Sequence, residues 1–211
     1  EERLCASGDC AALSRGDVSW RLTETDRGLD ISVRADTTPL TELVLRWDFP
    51  FPESSRFLGG AWERGYGDLE WRGFVPERVM PWYFLADTGK DVLAFGVEAR
   101  PHALCFWTCD PQGFSLHLDL RCGGEGVILR GRELPAARVV ISRSGLAAFP
   151  AMKAFLRELC PDPILPARPV YGSNNWYYAY GDTSHEDILR DTDYLASLTQ
   201  GLENCPYMVL D

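Results

Sequence analysis

Two short segments of the sequence carry side chains that could bind a sugar. Asn174-Asn175-Trp176 follows one short apolar stretch, and Asp211 follows the apolar run of residues 207–210. An indole can stack on the apolar face of a pyranose, and a carboxylate accepts charge-assisted hydrogen bonds from sugar hydroxyls. If the two stretches are adjacent parallel strands, Trp176 and Asp211 lie at one end of a sheet and form half of a sugar site.

Each of these side chains also has a plain structural interpretation. Trp176 could be a core indole that fills a seam between domains, and Asp211 could be a turn residue that closes a strand. The residues alone leave both interpretations open.

A second candidate region spans residues 56–85, where aromatic rings alternate with charged side chains. Mixtures of this kind are common on carbohydrate-binding surfaces, and Trp62 and Trp71 are the main candidates for contact with sugar. Glycines cluster at Gly59-Gly60 and at Gly65 and Gly67, which predicts a projecting loop rather than a regular strand. The alternative is that the rings pack at an interface between domains. The other members of the mixture are Tyr66, Trp82 and Tyr83 among the rings, with Glu63, Arg64, Asp68, Glu70, Arg72 and Arg78 among the charges.

Metal, general-base and phosphate sites are weaker candidates. The spacings Cys5-x₄-Cys10 and Cys105-x₃-Cys109 differ from the tight Cys-x₂-Cys pattern of zinc sites, so buried free thiols are expected. His117 falls on the polar face of a predicted strand, which indicates a solvent-facing imidazole. The glycines at positions 123, 124 and 126 do not precede a helix, so they predict a turn. No cofactor and no metal are expected.

The period of the apolar residues defines the elements that must position these groups. Between residues 18 and 141 the dominant period is two, which predicts half-buried strands in an antiparallel β-sandwich. Three runs show it: Leu29, Ile31, Val33 and Ala35; Leu43, Leu45, Trp47 and Phe49; and Phe114, Leu116, Leu118 and Leu120.

The pattern changes in the last third of the sequence. A stripe of apolar residues at spacings of three and four predicts one helix. This helix must end before the four prolines between positions 161 and 169. A strand at 168–172, a helix and a strand at 206–211 then predict a β-α-β unit, with capping boxes available from Thr183 with Glu186 and from Ser184 with Asp187. The expected domains are a sandwich (1–145), a helix and connector (146–168) and the beginning of a barrel (169–211). The stripe consists of Leu146, Phe149, Met152, Leu156 and Leu159.

Composition limits the classes of partner. The 211 residues carry a formal net charge of −10, without a basic run that could follow a phosphate backbone, so a nucleic-acid partner is not expected. No stretch has the roughly 18 apolar residues of a membrane span, so no membrane partner is expected either. Seven cysteines cannot all pair within one chain, which favours a reducing, cytoplasmic location. Secretion stays open if an N-terminal signal was removed.

Residues 169–211 resemble the opening of the catalytic barrel in family 36 glycoside hydrolases, the α-galactosidase and raffinose-synthase group. In that family one strand delivers an Asn-Asn-Trp or Asn-Ser-Trp motif and the next ends in Asp-Asp-Gly-Trp. Asn174-Asn175-Trp176 matches the first motif, and Asp211 matches the first residue of the second. Proteins of this family also have a β-sandwich first, then a helix and a connector, and then the barrel. Ser173 departs from the family, since many relatives carry Trp there.

The resemblance implies a fold and an activity. It implies a β-sandwich followed by the first β-α-β of a truncated (β/α)₈ barrel, in an enzyme that hydrolyses terminal α-galactosides with retention. Trp176 and Asn175 would then line the sugar site and Asp211 would bind galactose hydroxyls. Trp62 and Trp71 would lie in a sandwich loop that reaches a barrel mouth, often that of a neighbouring subunit, which implies an oligosaccharide substrate and is compatible with a homo-oligomer.

The resemblance places the two catalytic aspartates on the fourth and sixth barrel strands. A full barrel takes roughly 250 residues, so this sequence is expected to contain neither catalytic carboxyl group. Three alternatives remain: a transglycosylase of the same family, a non-catalytic carbohydrate-binding or assembly module, and a coincidental resemblance.

Overall fold

The computed structural model describes residues 10–63, 65 and 67–210. The chain divides between Pro161 and Asp162 into two compact units. The first consists mainly of antiparallel β-sheet and the second holds a small parallel sheet with two helices.

The first unit contains a seven-stranded antiparallel sheet. Its spatial order is β1-β2-β3-β11-β8-β7-β5, so β11, the last strand of the first unit, lies in the middle of the sheet. The strands are β1 (Cys10–Arg15), β2 (Val18–Thr25), β3 (Gly28–Arg34), β5 (Arg56–Gly59), β7 (Tyr83–Asp87), β8 (Val92–Val97) and β11 (Glu133–Ser144).

A four-stranded antiparallel sheet packs against one face of the large sheet. Its order is β4-β10-β9-β6, with β4 (Glu42–Asp48), β6 (Met80–Pro81), β9 (Leu104–Asp110) and β10 (Gly113–Asp119). The predicted alternation in β3 and β10 is confirmed, since Ile31, Val33, Leu116 and Leu118 are all buried.

Aromatic side chains from both sheets form a shared core. Phe84 and Phe95 of the large sheet stack at 4.7 Å between ring centroids, and Phe95 lies 4.5 Å from Phe114 of the small sheet. Trp107 is fully buried beside them. The two sheets therefore form a sandwich-like layer pair, as the period of two predicts.

Helix α1 (Ala148–Leu159) covers the outer face of the large sheet, where it buries Ala151, Phe155 and Leu159. The predicted apolar stripe is wrong in its first half. Leu146 precedes the helix and Phe149 is 65% exposed. The sheet selects the buried face, because the absence of a side chain at Gly96 leaves room for Leu159 and Phe155.

The second unit contains a parallel pair of three-residue strands, β12 (Gly172–Asn174) and β13 (Tyr207–Val209). Between them lie the one-turn helix α2 (Trp176–Ala179) and helix α3 (His185–Leu198). The predicted capping box of Ser184 and Asp187 is confirmed. The first strand begins at Gly172 rather than at 168, and it includes Asn174.

Among the described residues, no helix is both long enough and apolar enough to cross a membrane.

Candidate functional site

The aromatic loop, residues 60–79, connects β5 to β6 without regular secondary structure. Its far side is tied back to β5, because Phe57 donates to the Arg72 carbonyl at 2.6 Å and Arg72 donates to the Phe57 carbonyl at 3.0 Å. The part of the loop around Arg72 is therefore folded against β5.

A buried guanidinium holds the loop to strand β5 through hydrogen bonds. Arg78 donates to the carbonyl oxygens of Phe57, Asp68 and Glu70, each at 2.9 Å. Burial lowers the pKa of Arg78, and the nearby Asp68 carboxylate opposes that change. Sequence reasoning named Arg78 only as one charge among several, whereas the structure makes it the residue that fixes the loop.

The two predicted tryptophans of the loop lie in different environments. The Trp62 side chain is 51% exposed and available to a ligand. Trp71 packs against the cluster that includes Tyr83 and Leu85, and its carbonyl accepts a 2.6 Å hydrogen bond from Arg56. Packing is thus the observed role of Trp71, and Trp62 alone of the two presents an open ring.

Charged groups in the same loop could bind hydroxyl groups. Arg72 forms ion pairs with Asp68 at 2.9 Å and with Glu70 at 3.5 Å, and the side chains of all three remain partly exposed. Paired carboxylates and guanidinium groups can accept and donate hydrogen bonds to a polyol. These charged groups belong to the same loop as the exposed Trp62.

Two glycines permit the tight path of the loop. A Cβ at Gly60 would lie 2.3 Å from the carbonyl oxygen of Pro81, and one at Gly67 would lie 2.1 Å from the Ala61 Cβ. The glycines therefore allow close packing of backbone at the start of the loop.

The second predicted site lies at the end of β12. The parallel register pairs Gly172 with Tyr207 and Asn174 with Val209, so the Asn174–Trp176 segment leaves the pair at the end toward which β13 also runs. Trp176 is 41% exposed and contacts Tyr180 edge-on at 5.6 Å. Asp211 lies outside the described residues.

Asn175 has a structural role in this segment. The residue is only 1% exposed, its Nδ2 donates to the Thr183 hydroxyl, and its backbone carbonyl accepts from Ala179 at 3.0 Å. These bonds fix the turn from β12 into α2. Asn175 therefore positions Trp176, whose indole is the exposed group.

The second unit exposes much apolar surface. Helix α3 has no fully buried residue, and β12 and β13 have none either. The exposed apolar side chains of these elements and their connections include Leu189, Tyr194, Leu198, Leu202, Tyr207 and Val209. The capping box and a hydrogen bond from the Tyr178 hydroxyl to Asp191 hold α3, and that carboxylate raises the pKa of Tyr178.

The structure also shows a cleft that the sequence did not predict. Its volume is about 690 Å³, and its walls come from both sheets and include Trp47, Phe95, Phe114 and Ile141, with Lys90 on its rim. Phe49, predicted to continue the β4 alternation, follows the strand and is 42% exposed beside this cleft. Apolar and polar residues alternate along β4 whether the space between the sheets is filled or open. The sequence pattern therefore could not predict the cleft.

His117 is more constrained than the predicted solvent-facing imidazole. Its Nδ1 lies 2.8 Å from Glu42 Oε1, its Nε2 lies 3.3 Å from Thr108 Oγ1, and its ring stacks on Phe106 at 4.5 Å. Cross-strand neighbours on the outer face of the small sheet supply all three contacts. These contacts with both neighbouring strands brace the sheet.

The remaining motifs have structural roles. Cys105 and Cys109 are buried free thiols, and burial raises the pKa of Cys105 to about 12. Cys5 lies outside the described residues. No cluster of three metal-ligating side chains occurs in the described part of the chain. Gly123 and Gly124 form the predicted turn, closed by the bridge between Cys122 and Glu125.

Comparison with known proteins gives no match for this chain, either among protein-family models or among curated protein sequences.

Proposed function

We propose that the chain is part of a retaining glycoside hydrolase that acts on terminal α-galactosides, with residues 169–211 as the opening β-α-β of a (β/α)₈ barrel. The observation that carries this proposal is the parallel register of β12 and β13, in which Asn174 pairs with Val209. That register supports a site formed by Trp176 and Asp211, because barrel enzymes assemble their sites at the C-terminal ends of parallel strands.

The exposed apolar surface of the second unit supports the same proposal. Two parallel strands and one crossover helix cannot bury both faces of a sheet, and Leu189, Leu198 and Tyr207 remain exposed. Further strands and helices of a barrel would cover these side chains. This uncovered β-α-β unit, together with the resemblance of Asn174-Asn175-Trp176 to the family's motif, supports a barrel.

The proposal gives the site residues a binding role only. Trp176 stacks on the galactose ring and Asp211 accepts hydrogen bonds from its hydroxyl groups. Retaining hydrolysis uses two further carboxyl groups about 5 to 5.5 Å apart, one to attack the anomeric carbon and one to protonate the leaving oxygen. Both would come from later barrel strands.

The test uses the natural full-length protein, with its intact denatured mass measured first. We expect hydrolysis of p-nitrophenyl α-galactoside, no hydrolysis of the β-anomer, and a first product with retained α-configuration by NMR. Trp176→Ala and Asp211→Asn should each lower kcat/KM at least about tenfold, because each loses a contact made in the transition state. Tyr177→Ala and Asp193→Asn are the matched controls, since both residues are exposed.

Absence of α-galactoside hydrolysis by a protein long enough to contain the barrel overturns the proposal. Unchanged kcat/KM in both site variants overturns the assignment of the site. A transglycosylase of the same family would instead transfer galactose to a sugar acceptor, which the ratio of transfer to hydrolysis products distinguishes.

One observation favours a second function, a non-catalytic carbohydrate-binding module. The exposed Trp62 and the Asp68–Arg72 ion pair belong to the first unit, which has its own core. A binding module predicts saturable sugar binding that Trp62→Ala abolishes and Asp211→Ala leaves unchanged. The hydrolase proposal predicts instead that substitution of Asp211 weakens the interaction with sugar.

A further inference from the structure

The chain passes from the small sheet to the large sheet at Trp82. Met80–Pro81 pairs with β9, and Tyr83–Asp87 pairs with β8. Between them Trp82 has a φ of +68°. This left-handed conformation is rare for a bulky side chain and suits glycine better.

Both sheets hold the Trp82 backbone in this conformation. Its N–H donates to the Cys105 carbonyl at 3.3 Å, and its carbonyl accepts from Val97 N at 3.0 Å and from the Trp107 indole at 3.2 Å. A strained backbone persists only where the surroundings over-determine it, and such positions concentrate at functional sites.

The strained conformation changes where the indole points. Met80 and Phe84 lie in the core between the sheets, and by the period of an extended chain Trp82 should share their face. Instead the Trp82 residue is 39% exposed. A glycine at position 82 would give the positive φ that lets the chain pass from one sheet to the other. The geometry of this crossing therefore does not explain why an exposed tryptophan occupies the position.

Trp82 neighbours the beginning of the aromatic loop. Gly60 donates to the Tyr83 carbonyl at 3.1 Å, and a Cβ at Gly60 would lie 2.3 Å from the Pro81 carbonyl oxygen. Trp62 follows Gly60 by two residues, and Trp82 follows Pro81 by one. The backbone segments that carry the two exposed tryptophans are therefore joined by the contact of Gly60 with residues 81–83.

We propose that Trp82 is a sugar-stacking residue that, with Trp62, forms a two-indole surface for the pyranose rings of an oligosaccharide. The inference rests on the proposed carbohydrate function and adds a binding residue on the first unit. Both tryptophans are exposed, and their backbone segments are joined at Gly60 and Tyr83, so the two indoles suit a ligand with more than one apolar ring face.

The experiment compares Trp82→Gly and Trp82→Ala with the unchanged full-length protein. Binding of raffinose, an α-galactosyl trisaccharide, is measured on the immobilised protein under continuous flow, which replaces any hydrolysed sugar, and Tm is measured in parallel. We expect both variants to bind raffinose about tenfold more weakly. We expect the glycine variant to have the higher Tm of the two, because glycine accepts the positive φ without strain. Phe49→Ala, in the cleft between the sheets, is the control and should bind normally.

The possible results separate the two proposals. If the unchanged protein binds raffinose and both Trp82 variants bind it with the same affinity as the unchanged protein, the stacking role is overturned and the proposed function stands. No raffinose binding by the unchanged protein overturns the proposed function and the stacking role with it. Weaker binding in Trp82→Gly with a Tm equal to or above that of the unchanged protein supports stacking, because loss of folding cannot account for it.

Discussion

The guanidinium of Arg78 donates a 2.9 Å hydrogen bond to the carbonyl oxygen of Phe57, across 21 positions of the chain. The same guanidinium binds two loop carbonyls, those of Asp68 and Glu70. One buried side chain thus links strand β5 to the loop that presents Trp62.

We predict that Arg78→Lys loosens the aromatic loop. A lysine ammonium cannot reach three carbonyls in the planar arrangement that the guanidinium satisfies, so buried acceptors lose their partners at a cost of about 1–3 kcal/mol. Hydrogen exchange should accelerate in residues 60–79. Arg72→Lys is the matched control, because its side chain is 47% exposed and its ion pairs are at the surface. Equal hydrogen exchange in both variants would show that Arg78 does not hold the loop.

We predict that Phe155→Ala destabilises the first unit by about 3–5 kcal/mol, because it removes a ring that is 1% exposed under α1. Phe149→Ala, on the same helix, should change the free energy of unfolding by less than about 0.5 kcal/mol. Urea denaturation measures both. Comparable losses would show that the helix buries the face that the sequence pattern predicted.

We predict that Gly172→Ala disrupts the parallel pair of the second unit. A Cβ at this position would lie 1.9 Å from the Tyr207 carbonyl oxygen, a backbone atom that cannot move aside without breaking the pair. Faster hydrogen exchange at residues 172–174 and 207–209 is the expected result. A Cβ at Gly181 meets no atom within 4 Å, so Gly181→Ala should leave exchange unchanged.

We predict that Asp17 makes stability depend on acid pH. Hydrogen bonds from the Thr38 hydroxyl and from the N–H groups of Thr37 and Thr38 hold the pKa of Asp17 well below its usual range. Because the folded pKa lies below the unfolded one, the stabilisation is complete above about pH 4 and is lost as pH falls through the folded value. Asp17→Asn should therefore be less stable at pH 7, and the difference should shrink in acid.

Urea titrations at pH 7, 5 and 3.5 test this prediction. Asp26→Asn, an exposed turn residue nearby in sequence, is the control. A stability difference between Asp17→Asn and the unchanged protein that is constant across this range would contradict the assigned hydrogen bonds.

The sequence predicts those elements whose pattern is local. Alternation placed Ile31 and Val33 in the core, and the Ser184 and Asp187 pair marked the start of α3. The buried face of α1 could not be predicted, because the space above Gly96 in the sheet decides it.

The candidate sites were predicted only in part, for the same reason. Trp62 and Trp71 look alike in sequence, and only tertiary packing separates the exposed Trp62 from the partly buried Trp71. Trp82 has no local signal, since Pro81-Trp82-Tyr83 fits an extended strand and its positive φ comes from partners on both sheets.

The order of the large sheet has a consequence for synthesis of the protein. Strands β1–β3 and strands β8, β7 and β5 meet only through β11, which spans Glu133–Ser144. Until a ribosome has released β11, the nascent chain carries two separate half-sheets, each with an open edge on β3 or β8. Such edges pair readily with other chains, so the interval before β11 emerges is the period when the polypeptide most needs chaperone protection.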